Sequence, residues 1–379
     1  MALLKALSLA SEGLVSGIRY RRNYKHIRHQ SPTFLVYQLT DMCNSRCRMC
    51  NIWKKRPKDE LKIDDIRKIF KSRLFSGLRW VNLTGGEPFL RKDIIDVVNA
   101  LNSISTLEGI AIPSNGFMTD RIVGSVEEML RILGKDKFLS VTLSIDGFEK
   151  THDYIRGFSG AYKKVMATLD KLTALKKDYP NFNVGVQPTI SKWNIDEIED
   201  FYRHMKFKTG SVGFAVALTS EGFYDNLDSG AALTVADKKK ISRFFSKIID
   251  KDPQYGFYYS KLIEMFRTGK RGFGCLAGFL TVFMDPKGNI FPCPVLSEDK
   301  GYCFGNARQD PRQIWYSERS ASIKKRLKNE PICDSCTMMC DFISFAKVEF
   351  IEHAMFMMLH PKILFRLMQK IMSEKNPYF

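Results

Sequence analysis

Between Phe34 and about Ala217, short apolar runs alternate with stretches whose apolar residues recur at helical spacing. Residues 34–39, 80–83, 109–113, 139–145, 183–189 and 211–217 read as strands; residues 64–74, 92–101, 121–133, 162–175 and 195–205 read as helices between them. Six strand-helix units predict a parallel sheet, either doubly wound or closed part-way as a (β/α)6 barrel resembling a TIM barrel, with chemistry at the carboxyl ends of the strands. A polar, glycine-containing stretch at 220–230 breaks the alternation, and a further helix follows near 238–249. The expected organisation is a terminal segment at 1–30, a core at 31–252, a small cysteine-rich domain at 253–342 and a last helix at 343–379.

Two segments stand apart by their pattern. Residues 1–18 are apolar but carry Lys5 and Glu12 without a basic stretch ahead of them, and residues 345–372 are interrupted by Glu352, His353 and Pro361. Both are expected as amphipathic helices, packed on the body or lying on a membrane surface, and neither as a signal peptide or a membrane span. The formal charge of +18, with Arg19, Arg21, Arg22, Lys25 and Arg28 close together, points to an anionic partner or a solvated basic face. Nucleic acid is ranked last, because no recognition motif accompanies the charge. Nine cysteines in two groups, more than two hundred residues apart, suit metal ligation in a reducing compartment such as the cytoplasm, with peripheral contact at the inner face of the membrane as an option.

Cys43-Asn-Ser-Arg-Cys47-Arg-Met-Cys50 sets three thiols on one loop after the first strand. Three ligands suffice for three irons of a cubane and leave the fourth iron open; a zinc site would be closed by a fourth Cys or His, and this loop has none. With Gly85-Gly86-Glu87-Pro88 after the second strand, the chain resembles the radical S-adenosylmethionine (SAM) superfamily. That resemblance implies a 4Fe-4S cluster on Cys43, Cys47 and Cys50 whose open iron is chelated by SAM. One electron then splits SAM into methionine and a 5'-deoxyadenosyl radical that abstracts hydrogen. It also implies that Gly85, Gly86 and Glu87 hold the SAM amino group, Ser144 and Asp146 the ribose with Asn115 nearby, Arg156 the carboxylate, and Gln187 the adenine or methionine. Capping and turn formation are the ordinary alternatives for these polar residues. Met49 stands where the family usually has an aromatic residue.

In the second group, Cys275 precedes an apolar run, a turn at 285–289 and Cys293, which reads as a hairpin; Cys333, Cys336 and Cys340 follow. The order resembles the SPASM/twitch auxiliary-cluster domains, which implies a second, auxiliary 4Fe-4S cluster on Cys275, Cys293, Cys333 and Cys336. Cys340 is a substitute for one of the four, and Cys303 has no assigned task. Two three-cysteine clusters, or a structural zinc, remain open.

The activity implied is hydrogen abstraction from a small or lipid-linked anionic substrate. The alternatives are a SPASM-type peptide-modifying maturase, without a winged-helix leader domain in the roughly thirty residues before Phe34, and a non-enzymatic iron-sulfur electron carrier. An enzyme of this type needs a reducing donor such as flavodoxin or ferredoxin. Tyr37, Glu221, Tyr258 and Tyr259 are candidates for radical quenching or proton transfer.

Overall fold

The computed structural model describes residues 30–252, 255–338 and 350–366, with Ile18 and Arg22. It divides into two compact units: residues 31–233 with 277–323, and the described parts of 1–30, 234–276 and 324–379.

The first unit is built on one sheet in the order β10-β9-β8-β1-β2-β3-β4-β5. Strands β1 (Phe34–Gln38), β2 (Trp80–Thr84), β3 (Gly109–Ser114), β4 (Phe138–Leu143) and β5 (Phe182–Val186) run parallel in chain order. Parallel strands are covered on both faces, which is why these segments read as nearly unbroken apolar runs. Leu35, Tyr37, Val81, Leu83, Ile110, Ile112, Leu139, Val141 and Leu143 are all fully buried. The covering helices each bury one stripe; Thr119–Leu133 buries Ile122, Val126, Met129, Leu130 and Leu133 at three- and four-residue steps.

The sixth expected strand is shorter than its sequence pattern. β6 (Thr189–Ile190) pairs in parallel with β7 (Ala215–Val216), and Val186 bridges Val212 in the same register. β5 and β6 are thus one strand interrupted at Gln187-Pro188: the Gln187 N–H turns to Leu143 O at 2.9 Å, and proline has no N–H to offer. Among the described residues no strand joins the two ends of the sheet, so the barrel stays open.

The hairpin expected in the cysteine-rich domain extends this sheet. β8 (Thr281–Met284) runs parallel to β1, matching Phe34 with Thr281 and Tyr37 with Met284. β9 (Asn289–Phe291) and β10 (Gly305–Asn306) follow antiparallel.

In the second unit, helices Val235–Ile248 and Gly256–Thr268 pack through Phe245 stacked on Tyr259, with ring centroids 4.4 Å apart. The helix Phe350–Leu359 lies against them through Phe356 on Phe257, and Lys261 pairs with Glu352 at 2.6 Å. This is the described part of the last amphipathic segment: Phe356, Met357 and Ile363 are buried while Met358, Leu359 and Phe365 are exposed. The amphipathic segment expected at 1–18 lies, but for Ile18, outside the described residues. Among those residues no helix is long and apolar enough to cross a membrane.

One buried cation fixes the carboxyl end of β1. Arg91 Nη1 donates to Leu39 O at 2.8 Å, Nη2 to Leu61 O at 2.6 Å, and Nε to Asp93 at 2.7 Å. Replacing it by Met leaves two buried carbonyls and a carboxylate without their donor, so Arg91→Met is expected to cost about 3 kcal/mol of stability in denaturant titration.

Candidate active site

The carboxyl ends of β1 to β5 carry every motif of the first cysteine group. The cysteine loop after β1 is held by its backbone from several sides. From the β2 side, Gly86 N–H donates to Thr40 O at 2.8 Å and Glu87 N–H to Met42 O at 2.7 Å. A side chain at Gly86 would run into the Met42 carbonyl, and a Cβ at Gly85 would stand 2.8 Å from Thr40 O. The bare glycine backbone is thus what lets the loop close against β2.

The helix Glu149–Arg156 holds the loop's middle. Its last carbonyls have no partner within the helix; Ile155 O accepts from Arg48 N–H at 2.9 Å, and Arg156 O from Arg46 N–H and Ser45 Oγ, both at 3.1 Å. The Arg48 side chain donates to Tyr154 O at 3.0 Å and lies 4.0 Å above the Tyr154 ring. Gly157 ends the helix at φ +61°, with its Cα against the Arg46 carbonyl.

Two asparagines secure the far end. Asn226 Nδ2 donates to Met49 O at 2.8 Å and to Leu218 O at 3.0 Å; Asn51 donates through N–H to Tyr224 O at 2.9 Å and through Nδ2 to Asp225 O at 2.6 Å. Asn115 Nδ2, after β3, reaches Asn44 Oδ1 at 2.7 Å. Met49 itself packs on Ile155 and Ala231, with Trp193 beside them.

Inside this frame the charges are buried. Glu87 accepts from Phe89 N–H at 3.2 Å, Ser114 Oγ at 2.9 Å and Asn115 N–H at 2.8 Å, yet burial outweighs these bonds and pushes its carboxyl up to about 7. Burial also pushes the Cys43 and Cys50 thiols up to about 12, reinforced in both by the Cys47 thiol, and in Cys43 by Glu87. Arg156 Nη1 donates to Cys47 Sγ at 3.6 Å, and Nη2 is 2.7 Å from Asp146 Oδ2. Asp146 is wholly buried and its Oδ1 accepts from Thr189 N–H at 2.9 Å. Burial works against the guanidinium's charge, but Asp146 and the cysteine sulfurs more than offset it. Asp146 N–H donates to His152 Nδ1 at 3.0 Å, and burial holds that imidazole neutral, down to about 2. Ser144 and Gln187 are half-buried at the ends of β4 and β5.

Beside Cys47 opens a cleft of about 370 Å³ lined by Arg46, Arg48, Lys54, Trp53, Trp193 and Asp228 among others. None of the four quenching candidates lines it. Tyr37 is buried in β1 with its hydroxyl unpartnered, Tyr258 Oη donates to Thr337 O at 2.6 Å, Tyr259 is stacked on Phe245, and Glu221 is exposed.

In the second unit the Cys333 thiol is pushed up to about 12, by burial first and then by the Cys275 and Cys336 thiols, with Arg271 pulling the other way. Arg271 also bonds the Cys336 sulfur, whose thiol is raised by burial. Three expected ligands therefore come together here. Cys293 follows β9 in the first unit, and Cys340 lies outside the described residues. Cys303 donates its thiol to Gly305 O at 3.6 Å. Among the described residues no three Cys, His, Asp or Glu donors converge on a single-ion site.

Sequence reasoning missed the asparagines and the helix Glu149–Arg156. That helix has two turns and few apolar residues, so periodicity could not mark it; Gly157 as a helix stop was the available signal.

An open parallel sheet with three cysteines on its first crossover, Cys43 and Cys50 among them with strongly desolvated thiols, defines a class of α/β enzyme that works through an iron-sulfur cluster. The radical SAM superfamily pattern matches residues 37–205, and an iron-sulfur cluster-binding domain of SPASM type matches residues 275–338. The sporulation killing factor maturation protein SkfB of Bacillus subtilis (strain 168) is 32% identical over 309 residues, 79% of this chain and 68% of SkfB. The AdoMet-dependent heme synthase of Methanosarcina barkeri (strain Fusaro / DSM 804) is 26% identical over 338 residues, 82% of this chain and 89% of the synthase. GTP 3',8-cyclases are matched over about half of their own length. Among solved structures, SuiB of Streptococcus suis bound to SAM superposes with a TM-score of 0.60 at 16% identity, over 81% of this chain and 71% of SuiB; SuiB has also been solved with its precursor peptide SuiA. The chain belongs to the radical SAM superfamily and carries a SPASM-type domain on its C-terminal side. It is an enzyme that uses a 4Fe-4S cluster and SAM, with auxiliary iron-sulfur ligation in the SPASM domain. The donor set fits: thiols that burial keeps protonated have most to gain from a cationic metal core.

Seating of the loop is testable without the cluster. Gly157→Ala must hold an L-residue at φ +61° and also displace the Arg46 carbonyl, whereas Gly210→Ala, at φ +70° with open space around it, meets only the first cost. In the apo-protein Gly210→Ala is expected to lose about 1 kcal/mol and Gly157→Ala at least twice that.

Proposed function

We propose that this enzyme modifies a peptide by radical chemistry, with Cys43, Cys47 and Cys50 holding the SAM-cleaving cluster and the Cys275/Cys333/Cys336 group holding an auxiliary one. What supports the site is the convergence of three cysteines on one loop, with the Cys43 and Cys50 thiols desolvated, and a buried, pre-oriented carboxylate, Glu87, close enough to Cys43 to raise it. What supports the substrate class is the likeness to SkfB over most of the chain. When bound, the cluster and SAM supply one-electron chemistry that removes hydrogen from an unactivated C–H bond.

The protein's own groups bind and orient. Glu87, with its lone pairs already directed by Ser114, Asn115 and Phe89, receives the SAM ammonium. Ser144 and Asp146 would meet the ribose with Asn115 nearby, Gln187 the adenine side, and Arg156 the carboxylate. Asp146 also works through Arg156: wholly buried, it holds the guanidinium at 2.7 Å, and its neighbour His152 stays neutral so as not to compete. Cys293 and Cys340 are the sequence candidates for the remaining auxiliary ligand.

A second reading, a small or lipid-linked anionic substrate, draws on the charge of +18 and the match to the heme synthase. Deuterium transfer separates the two. Reconstituted enzyme, SAM and reductant are incubated with fractions of cells grown on deuterated medium, and 5'-deoxyadenosine is examined by mass spectrometry. Label is expected from the peptide fraction; label from the small-molecule or lipid fraction alone would favour the second reading.

Iron content and SAM affinity test the site. Replacing Cys43, Cys47 and Cys50 together by Ala is expected to remove roughly half of the iron bound after anaerobic reconstitution, as one of two cubanes. Glu87→Gln is expected to weaken SAM by about 1.5–3 kcal/mol, roughly 10- to 150-fold in calorimetry. With its carboxyl near 7 in the free protein, Glu87 is ionised above that pH and neutral below it. Wild-type affinity for SAM should therefore fall as pH drops through 7, and Glu87→Gln should flatten that profile.

A further inference from the structure

We propose that the cleft beside Cys47 is where a protein electron donor docks: a low-potential one-electron carrier presenting an acidic face. The cleft reaches the cysteine loop from outside. Its lining includes Cys47 together with residues 46, 48, 51, 53 and 54 of the same loop, and Gly157 from the helix stop. None of the groups assigned to SAM above, Glu87, Asn115, Ser144, Asp146, Gln187 or Arg156, takes part in that lining, although Arg156 Nη1 donates to Cys47 Sγ at 3.6 Å. A molecule seated here would therefore come up against Cys47, one of the proposed cluster ligands, and not against the residues assigned to SAM, which suits delivery of an electron and not reaction at a bound nucleoside.

The rim selects the charge of the visitor. Arg46, Arg48 and Lys54 are exposed around the opening, Lys192 lies just outside it over the Trp193 ring at 5.4 Å, and Arg56 and Lys58 continue the exposed basic run. Asp228 is the one carboxylate in the lining, and it already accepts from Asn51 Nδ2 at 3.2 Å. The Trp53 indole N–H is buried and has no acceptor among the described residues, and the half-buried rings of Trp53 and Trp193 add flat surface to the lining. Exposed cations around an aromatic floor form a docking face for acidic side chains, since opposite potentials steer encounter and desolvated aromatics supply contact. The step itself is one electron passing from the reduced carrier to the cluster: the carrier is oxidised by one electron, the cluster reduced by one, and no bond or proton moves.

The inference rests on the SAM placement proposed above, and the test keeps the two apart by using two reductants. Reconstituted holoenzyme with SAM is driven either by a reduced acidic flavodoxin, at limiting concentration, or by dithionite, a small reductant that needs no docking face. Formation of 5'-deoxyadenosine is one readout, and binding of oxidised flavodoxin to the same protein, measured by calorimetry without turnover, is the other. With flavodoxin the wild-type rate is expected to fall steeply as ionic strength rises from about 0.01 to 0.15 M, where the screening length shortens from roughly 30 to 8 Å. Lys54→Glu combined with Lys192→Glu is expected to lower kcat/KM for flavodoxin at least tenfold at low salt and to leave the dithionite-driven rate unchanged. The reversal of Lys68, an exposed lysine on the helix Ile63–Phe70, should change neither.

A flavodoxin rate equal to wild type in the double variant would overturn the proposal. So would an equal loss with both reductants, or an unchanged deoxyadenosine yield accompanied by loss of substrate modification under dithionite, which would make the cleft a substrate site. If the Glu variant takes up less iron, Lys54→Gln with Lys192→Gln, which removes the charges without reversing them, decides the same comparison. Failure of the Glu87 reading shows separately, as wild-type SAM affinity in Glu87→Gln.

Discussion

The cysteine loop has no secondary structure of its own to hold three thiols in place, and its backbone must be satisfied by other elements before the thiols can serve any metal. That constraint runs through the whole carboxyl end of the sheet. The Thr40 and Met42 carbonyls are taken by the turn after β2, the Arg46 and Arg48 N–H groups by the end of the helix Glu149–Arg156, and the Met49 carbonyl by Asn226. The glycines at 86 and 157 are spent on this seating, each where a side chain would strike a loop carbonyl. A buried backbone group left unpaired costs as much as a lost hydrogen bond, so each of these bonds restricts where the loop can be.

The same frame explains why so many charges are buried together. Glu87, Asp146 and Arg156 are each less than a tenth exposed, and such groups are costly unless paired or later matched by a ligand. Arg156 is paired on one side with Asp146 and touches Cys47 on the other. Glu87 has hydrogen bonds but no cation at salt-bridge distance among the described residues, and burial dominates its protonation. A site in which burial holds a carboxyl near neutrality is set to respond to the arrival of a positive group.

Much of this was legible in the residues. The alternation of apolar runs gave five parallel strands in order, and the cofactor followed from the family resemblance that the thiol loop and Gly85-Gly86-Glu87-Pro88 carry. Local pattern was blind to what depends on partners far away in the chain. Ser211–Ala217 looked like a full strand because its residues are apolar, but Gln187-Pro188 interrupts the edge it must pair with. The hairpin after Cys275 was assigned to a separate domain because periodicity cannot say which edge a strand will join. Asn51 and Asn226 carry no periodic signal at all; their role exists only once residues 51 and 226 lie on neighbouring loops.

The pairing of β8 with β1 has a consequence in time as well as in space. β1 carries the cysteine loop, and one of its two edges is covered by Thr281–Met284, almost 250 residues later in the chain. During synthesis β1 can pair with β2 early, but its other edge stays bare until the chain has been made as far as Met284. An uncovered parallel edge invites wrong partners, and contacts this distant in sequence close slowly. The strand that carries the cysteine loop is thus among the last in the first unit to be flanked on both sides, and the nascent chain is exposed to aggregation for as long as that edge waits.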